Sequence, residues 1–348
     1  MTNILLSNTP FHEEPNKADS LLDINLFSQV LKACADPLRV QILNALNNDT
    51  FGVLELTQIF ETKQSGMSHH LKVLSQAGLV EAQREGNAIF YRRPLHLDDE
   101  FDSEAITQIL SLIDRFELSH DILSKISEIQ SQRACQSQVF FARNADRFQA
   151  QQELISEHSQ YAEASFELLC QSFESNQVNN TIIEIGPGEG LFLPLISRKF
   201  SKVIALDNSE DMLKKAKKQA FKNQLTNIEF ILGDTHFFRH KVESKQEEKV
   251  DAVVMNMVLH HIPTPAKVFN DISCFLNTNG VLVICELSHH NQEWTKENCG
   301  DIWLGFEPEE LTQWATSAGF ISDKTAFIGL RNGFQIQLRK FIKTGQIN

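Results

Sequence analysis

The spacing of apolar residues divides the chain into a helical first part and a later part in which strands alternate with helices. From Ile24 apolar side chains recur every three or four residues, which predicts a helix, and Pro37 stands at the first turn of the next one. A short helix at about 53–60, a turn and a helix that ends at Gly78 have helix-turn-helix spacing. Two β-rich runs around 85–88 predict a hairpin. The first unit is therefore a winged helix-turn-helix.

Helices are predicted to continue beyond the hairpin. One long helix, from about Ser103 to Gln130, has a narrow apolar stripe that suits pairing with another helix. A second helical region, about Gln138 to Phe173, connects to the later part of the chain. The stripe consists of Ile106, Ile109, Ile113, Phe116, Leu123 and Ile126.

Five short apolar runs mark the later part of the chain. In order they read TIIEI, KVIALD, NIEFILGD, VDAVVMNM and GVLVICEL, and helical or loop segments separate them. Strands that alternate with helices predict a parallel, doubly wound sheet. The expected fold class is α/β, with a nucleotide-binding type of sheet in the second half.

The composition is that of a protein that folds in water. Of the 348 residues 42% are hydrophobic and 22% are charged, close to the average for soluble globular proteins. No apolar run approaches the ~20 residues that span a bilayer, and the N-terminus lacks the features of a signal peptide, so we expect a cytoplasmic protein without membrane association. The six cysteines include no C-x-x-C pair, and we expect reduced thiols and no structural zinc.

The helix that ends at Gly78 is predicted to have a buried face and a DNA-binding face. Met67, Leu71 and Leu74 share the buried side, and His70 flanks it. Polar side chains on the opposite side can form hydrogen bonds with base edges or phosphates, and cations of the helix and the hairpin can contact the DNA backbone. The candidate DNA-binding residues are Gln64, Ser65, Ser68, His69, Lys72, Arg84, Arg92 and Arg93.

The charge of this region differs from that of the whole chain. The formal net charge of the chain is -13, yet residues 62–93 contain five cations and two carboxylates. The negative charge of the rest of the chain weakens non-specific DNA binding, which favours a specific operator as the partner. The alternative is that the winged unit contacts another protein.

Three segments resemble the ArsR/SmtB family of bacterial winged-helix repressors: ADPLRVQILNAL, SGMSHHLKVLSQAGLV and REGNAIFYRR. The resemblance implies operator DNA as the partner and a homodimer formed through the first and last helices of the unit. Metal-sensing members of the family have cysteines where this chain reads TFGVLELTQ, so metal sensing at that position is not carried over. The charged residues from Asp114 to Asp121 have no recognisable ligand spacing, and no metal is predicted.

The segment TIIEIGPGEG places Glu184, Gly186, Gly188 and Gly190 at the end of the first strand of the later part. Leu191 replaces the last glycine of the dinucleotide fingerprint, and the pattern instead resembles the first motif of class I S-adenosylmethionine (SAM) dependent methyltransferases. By that resemblance Asp207 holds the ribose, Asp234 lies near the adenine and Asn256 ends the fourth-strand motif. The implied ligand is SAM or S-adenosylhomocysteine (SAH).

Two histidines follow the fourth-strand motif. Methyl transfer needs an aligned nucleophile, and a base if the nucleophile starts protonated, so His260 and His261 are candidate catalytic residues. Packing beside the cofactor is the alternative for both. Trp303 and Phe306 are candidates for a substrate wall or for core packing. No Asn-Pro-Pro-Tyr type motif is present, which disfavours methylation of DNA bases.

The two resemblances together cover about 27–320. The combination resembles a group of bacterial proteins in which an ArsR-type domain is fused to a methyltransferase domain. We predict that the regulator methylates a small molecule; the open alternative is a regulator whose second domain senses SAM or SAH without turnover. Arsenite methylation needs converging thiolates that these scattered cysteines do not show. The predicted divisions are a flexible tail (1–20), an ArsR-type winged domain (21–98), a dimerisation helix and connector (99–175) and a Rossmann-like methyltransferase domain (176–348).

Overall fold

The computed structural model describes residues 24–47, 49–85, 88–94, 100–144, 147–173 and 180–345. The predicted tail and the tip of the predicted hairpin lie outside these ranges. In the described part of the chain, no helix has both the length and the apolar character needed to cross a membrane.

The first unit is a winged helix-turn-helix, as predicted. Asp36 caps the second helix by accepting a hydrogen bond from the Arg39 amide at 3.1 Å, and Gly78 ends the fourth in a left-handed conformation with φ 68°. Met67, Leu71 and Leu74 are fully buried. The elements are α1 (Ile24–Cys34), α2 (Pro37–Ala45), β1 (Phe51–Gly52), α3 (Val53–Ile59), α4 (Gln64–Gln76), β2 (Glu81–Glu85) and β3 (Ala88–Arg92).

The wing is a three-stranded antiparallel sheet with the order β1-β3-β2. Glu81 pairs with Arg92 in the predicted hairpin, and Phe51 of β1 pairs with Tyr91. The two residues of β1 are too few to give an alternating pattern, so this strand is visible only in the structure.

The prediction of one long helix from Ser103 to Gln130 is wrong. The structure has two helices, α5 (Glu100–Ile113) and α6 (His120–Asn144). The Asn44 side-chain amide donates to the carbonyls of Ile113 and Phe116 at 2.9 and 2.7 Å, which satisfies acceptors that a continuing helix would use. The Ser119 hydroxyl accepts a hydrogen bond from the Ile122 amide at 3.4 Å and so caps the N-terminus of α6.

The predicted connector consists of several short helices. After α6 come α7 (Phe148–Gln152), a 3₁₀ turn (His158–Gln160) and α8 (Ala162–Cys170). Ile155, Leu168 and Leu169 are buried in the core beside the large sheet. The connector therefore packs against the second domain.

The second domain is a seven-stranded sheet with the order β6-β5-β4-β7-β8-β10-β9. The first five strands in this order are parallel, as predicted, whereas β10 runs antiparallel to β8 and β9. Strand order reverses at β4, which opens a crevice at the carboxyl ends of β4, β5 and β7. The elements are β4 (Thr181–Ile185), α9 (Leu193–Ser197), β5 (Lys202–Asp207), α10 (Glu210–Lys222), β6 (Ile228–Leu232), α11 (Thr235–Glu243), β7 (Val250–Asn256), a 3₁₀ turn (Leu259–His261), α12 (Pro265–Phe275), β8 (Leu276–Leu287), α13 (Trp294–Cys299), α14 (Pro308–Ser317), β9 (Phe320–Gly329) and β10 (Gln335–Lys343).

Arg133 of α6 joins the winged unit to the second domain. Its guanidinium donates to both carboxylate oxygens of Glu55 at 2.9 and 2.5 Å and to the Thr50 carbonyl at 3.0 Å. It also lies between 5.3 and 5.5 Å from the ring centroids of Phe51, Phe90 and Trp303. A charge in this apolar position is stable only while all of these partners are present.

Replacing Arg133 with alanine should destabilise the protein. The change leaves the Glu55 carboxylate without its main partner and removes the cation from three aromatic rings, at an expected cost of about 2–3 kcal/mol. Urea denaturation of the full chain measures it. Arg143→Ala, on the exposed side of the same helix, should stay within about 0.5 kcal/mol of the wild type. Equal stability of both variants would contradict the assigned role.

Candidate functional site

A glycine-rich turn leaves β4 at the crevice. Gly186, Gly188 and Gly190 have φ values of 64°, 54° and 79°, which L-residues rarely adopt. A Cβ on Gly186 would lie 2.6 Å from the Val258 side chain. Glycine is therefore required here by the backbone conformation and by the close approach of the turn that follows β7.

The glycine turn lines a cavity of about 830 Å³. This volume suits a small molecule or a cofactor. Six of the seven predicted cofactor-binding residues, Glu184, Gly186, Gly188, Asp207, Asp234 and Asn256, lie on its wall. The seventh, Gly190, does not line the cavity; a Cβ there would meet Ala216 and Leu193 instead. Helix α6 closes another side with Ser127, Gln130, Ser131, Ala134 and Ser137.

Two acidic residues stand at the ends of adjacent strands in this cavity. Burial, and to a smaller extent the charge of Asp207, raises the pKa of Glu184 to about 8. Burial also raises the pKa of Asp207 to about 6, although hydrogen bonds from the backbone amides of Ser209 and Asn208 act to lower it. The Oε2 atom of Glu184 is buried without a hydrogen-bond partner. Such a group is suited to accept a hydrogen bond from a ligand.

Asn256 and Asp234 occupy two further strand ends. The Oδ1 atom of Asn256 accepts from the Ser165 hydroxyl at 2.8 Å, while its Nδ2 atom is buried without a partner. Asp234 is exposed and caps α11 by accepting from the Phe237 amide at 2.8 Å. The cavity wall thus holds one unpaired acceptor and one unpaired donor, which a ligand with both kinds of group would satisfy.

The two candidate catalytic histidines have different surroundings. His260 is fully buried, its Nδ1 lies 2.5 Å from Glu286 Oε1, and it does not line the cavity. Burial lowers the pKa of His260, but the charges of Glu286 and Asp301 outweigh burial and raise it to about 9. His260 is therefore a charged structural residue at neutral pH.

His261 lines the cavity. Its Nδ1 lies 3.2 Å from the Gly300 carbonyl, to which it must donate, and its Nε2 lies 3.2 Å from the Gln152 side-chain nitrogen. Burial and the neighbouring charge of His260 lower the pKa of His261 well below its ordinary value. His261 is neutral at physiological pH, with Nε2 as an acceptor.

A buried cluster lies behind this wall. The ligating atoms of His260, His261 and Asp301 are within 4.8 Å of one another. Burial raises the pKa of Asp301 to about 6, while the charge of His260 opposes that rise. The proton on His260 supplies a positive charge between Asp301 and Glu286. The expectation that the chain binds no metal stays a prediction.

The candidate DNA-binding residues separate into two groups. Arg92 is paired with Glu81 and with Glu310 of α14, so it faces the second domain. Arg93 forms a bidentate pair with Asp114 at 2.5 and 3.0 Å. The exposed group on α4 and β2 consists of Gln64, Ser65, Ser68, His69, Lys72 and Arg84.

Several residues of the site were not apparent from the sequence. Tyr161, His158 and Gln152 of the connector line the cavity, and burial raises the pKa of the tyrosine and lowers that of the histidine. They are distant in the chain from the glycine turn and belong to no motif. Trp303 and Phe306, candidates for a substrate wall, do not line this cavity and are buried in packing contacts.

The winged unit is similar to known regulators. Residues 36–82 match the model of the arsR family of bacterial regulatory proteins. The HTH-type transcriptional regulator NmtR of Mycobacterium tuberculosis is 38% identical over 82 residues, which are 23% of this chain and 68% of NmtR. The chain belongs to the arsR family. The match of this arsR-family protein begins at the cap of α2 and ends within the wing.

The second domain matches a methyltransferase model over residues 176–319. Carboxy-S-adenosyl-L-methionine synthase of Ruthia magnifica is 31% identical over 109 residues, 31% of this chain, and the chain spans only 43% of the synthase. The N-methyltransferase NodS of Bradyrhizobium japonicum, solved with SAH, has a TM-score of 0.46 at 14% identity and covers 60% of this chain and 100% of NodS. The match to the methyltransferase model shows that this arsR-family chain carries a methyltransferase domain, which supports SAM as the predicted cofactor.

Alanine at Gly186 should cost more stability than alanine at Gly188. Both positions have positive φ, which costs an L-residue about 1–2 kcal/mol. Only at Gly186 does the added methyl group meet Val258, and overpacking adds about 1–3 kcal/mol. Urea denaturation without ligand measures both losses. Adding Val258→Ala should reduce the excess cost of Gly186→Ala; equal losses in the two single variants would show that the close approach is unimportant.

Proposed function

We propose that this protein is a homodimeric, operator-binding regulator whose methyltransferase domain binds SAM and methylates a small molecule. One observation carries the proposal: α6 forms part of the wall of the cofactor cavity and also inserts Arg133 into the winged unit. A ligand in the cavity therefore touches the element that positions the DNA-binding helix.

The exposed side of α4 supports DNA binding. Its amide, hydroxyl and imidazole groups are of the kinds that read base edges in the major groove. Lys63, Lys72 and Arg84 are exposed on the same unit and suit phosphates. Arg92 and Arg93 are not part of the proposed contact because both pair with carboxylates inside the protein.

Exposed apolar side chains on the first and last helices of the winged unit support a homodimer. Large apolar side chains that are exposed to water are stabilised when a partner covers them. The partner proposed here is a second copy of the same chain. They are Ile24, Phe27 and Leu31 of α1, Leu112 of α5, Phe116 after α5, and Leu123 of α6, each between 36% and 77% exposed.

The cavity fits SAM on the observations of this structure. The glycine turn leaves room for close approach of a ligand, and Glu184 and Asn256 each offer an unpaired polar atom. Asp207, at the end of β5 on the cavity wall, is the proposed acceptor for the ribose hydroxyls. When bound, SAM supplies a methyl group on a positively charged sulfur. The residues of the chain then orient the methyl acceptor and exclude water from the cavity.

His261 is the proposed proton acceptor for a hydroxyl-bearing substrate. Its neutral ring presents Nε2 on the cavity side, and Nδ1 is committed to the Gly300 carbonyl. Gln152, which contacts Nε2, gives way to the acceptor hydroxyl. His260 acts indirectly, since its positive charge adds to the effect of burial in lowering the pKa of His261.

A route between the two sites runs through Gln130 of α6. Gln130 lines the cavity, donates to Asp49 of the winged unit at 2.9 Å and accepts from Lys267 of α12 at 2.9 Å. Ser137 of the same helix donates to the His261 carbonyl at 3.3 Å. Ligand contacts that move α6 would change the orientation of the winged unit and hence operator affinity.

The same geometry serves the alternative function, a regulator that senses SAM or SAH without turnover. The favouring observation is that Gln152 occupies Nε2 of His261, the atom that catalysis needs. Catalysis and sensing differ in one measurable outcome, the release of SAH from SAM.

Replacing Lys72 with alanine should weaken operator binding at all sequences alike. The loss of one phosphate contact should also reduce the slope of log affinity against log salt by about one. The measurement is a titration of fluorescent duplex, selected from a random library by the wild type, at several salt concentrations. Lys218→Ala, exposed on α10 of the other domain, is the matched control. An unchanged slope for Lys72→Ala would exclude a phosphate contact.

Replacing Asp207 with alanine should weaken SAM and SAH binding at least about tenfold, because hydrogen bonds to a charged group are worth about 1.5–3 kcal/mol. It should also abolish any effect of these ligands on operator affinity. Calorimetry followed by gel shift of the full-length dimer measures both. Asp211→Ala, at an exposed position of α10, should leave both unchanged.

The same preparations distinguish the two functions. SAH released from SAM in the presence of a panel of small hydroxyl and thiol acceptors supports methylation. Tight SAH binding coupled to DNA, without release, supports the sensor. If operator affinity were identical with and without SAM or SAH, the proposed coupling between the cavity and DNA binding would be contradicted.

A further inference from the structure

Helix α11 carries two histidines on the rim of the cavity. His236 and His240 are one turn apart, their ring centroids are 4.4 Å apart, and their Nε2 atoms are 3.0 Å apart. Both side chains are more than 60% exposed. His236 lines the cavity, as do Arg239 and Asp271, and it is exposed to solvent, so it stands at the cavity entrance with His240 next to it on the outer side.

The other nitrogen of each ring is next to a carboxylate. Nδ1 of His236 lies 3.9 Å from Asp271, and Nδ1 of His240 lies 3.4 Å from Glu243. Carboxylates in these places favour a proton on each Nδ1, as in the carboxylate–histidine–metal arrangement of many metal sites. The two Nε2 atoms are 3.0 Å apart, within hydrogen-bond distance. When both protons are on Nδ1, a cation bound by the two Nε2 atoms takes the place of that hydrogen bond.

The separation of the two nitrogens suits a transition metal ion. With metal–nitrogen bonds of about 2.0–2.1 Å, atoms 3.0 Å apart subtend about 90° at the metal. That angle belongs to neighbouring positions of square-planar or octahedral ions, which describes Ni²⁺ and Cu²⁺. Two histidines at i and i+4 of one helix are also a known pair of metal ligands.

We propose that His236 and His240 form a two-histidine chelate for an exchangeable divalent transition metal ion of the Ni²⁺ or Cu²⁺ class at the cavity entrance. The protein supplies two ligands, and the remaining positions are open to water or to an oxygen or nitrogen group of a molecule that enters the cavity. The site does not depend on the proposed function of the methyltransferase domain, and it departs from the expectation, drawn from the sequence, that the chain binds no metal.

The charges around the pair permit a cation. Arg239 lies between the two histidines in sequence, but its Nε donates to Glu243 at 2.7 Å and its Nη1 lies 3.5 Å from Asp271. Its charge is therefore matched by the same carboxylates, and it holds them beside the imidazoles. Lys241 points its ammonium to Glu247 at 3.4 Å.

The test is Ni²⁺ titration of the untagged, full-length protein after metal removal, followed by calorimetry. The wild type should bind one more Ni²⁺ per chain than His236→Ala or His240→Ala, with at least tenfold weaker residual binding in the variants. Because both side chains are exposed, the variants should fold normally, which circular dichroism checks.

A matched control changes the spacing and keeps the number of histidines. His240→Ala combined with Lys241→His moves the second ring off the face of His236, and this variant should bind like His240→Ala. His69→Ala removes an exposed histidine elsewhere and should bind like the wild type. Equal Ni²⁺ uptake by the wild type and both single alanine variants would overturn the proposal, as would recovery of binding in the shifted variant.

Discussion

The buried guanidinium of Arg133 is the interaction on which the arrangement of the two domains depends. A positive charge beside three aromatic rings is costly unless a carboxylate and carbonyl oxygens bind it. Glu55 and the Thr50 carbonyl come from the winged unit, whereas Trp303 and the Pro263 carbonyl, 3.4 Å away, come from the methyltransferase domain. Because these partners belong to two domains, the position of α6 is linked to both the winged unit and the methyltransferase domain.

A second buried charge organises the side of the cavity that His261 lines. His260, Glu286 and Asp301 compensate one another inside the protein, and the result is a rigid support behind His261. Burial, together with the positive charge of His260, lowers the pKa of His261 and keeps this residue neutral. The two adjacent histidines of one short turn therefore differ: the first is buried and charged, and the second is neutral and lines the cavity, where its Nε2 contacts Gln152.

Features fixed by local spacing could be predicted from the sequence, and features fixed by distant contacts could not. The glycines near 186–190 identify the cavity because their backbone conformation excludes other residues. In contrast, the break between α5 and α6 contains no glycine or proline, and it arises because Asn44 binds the carbonyls of Ile113 and Phe116. Arg92 resembled a DNA contact because its partner, Glu310, is more than two hundred residues away in the chain.

The raised pKa of Glu184 connects occupancy of the cavity to proton exchange with solvent. With a pKa of about 8, this carboxyl carries a proton in the empty cavity at neutral pH. A ligand that brings a positive group beside it favours the ionised form, so binding releases that proton. Affinity for such a ligand therefore increases with pH until the carboxyl of the empty protein is itself ionised, and the observed heat of binding includes the ionisation heat of the buffer that takes up the proton.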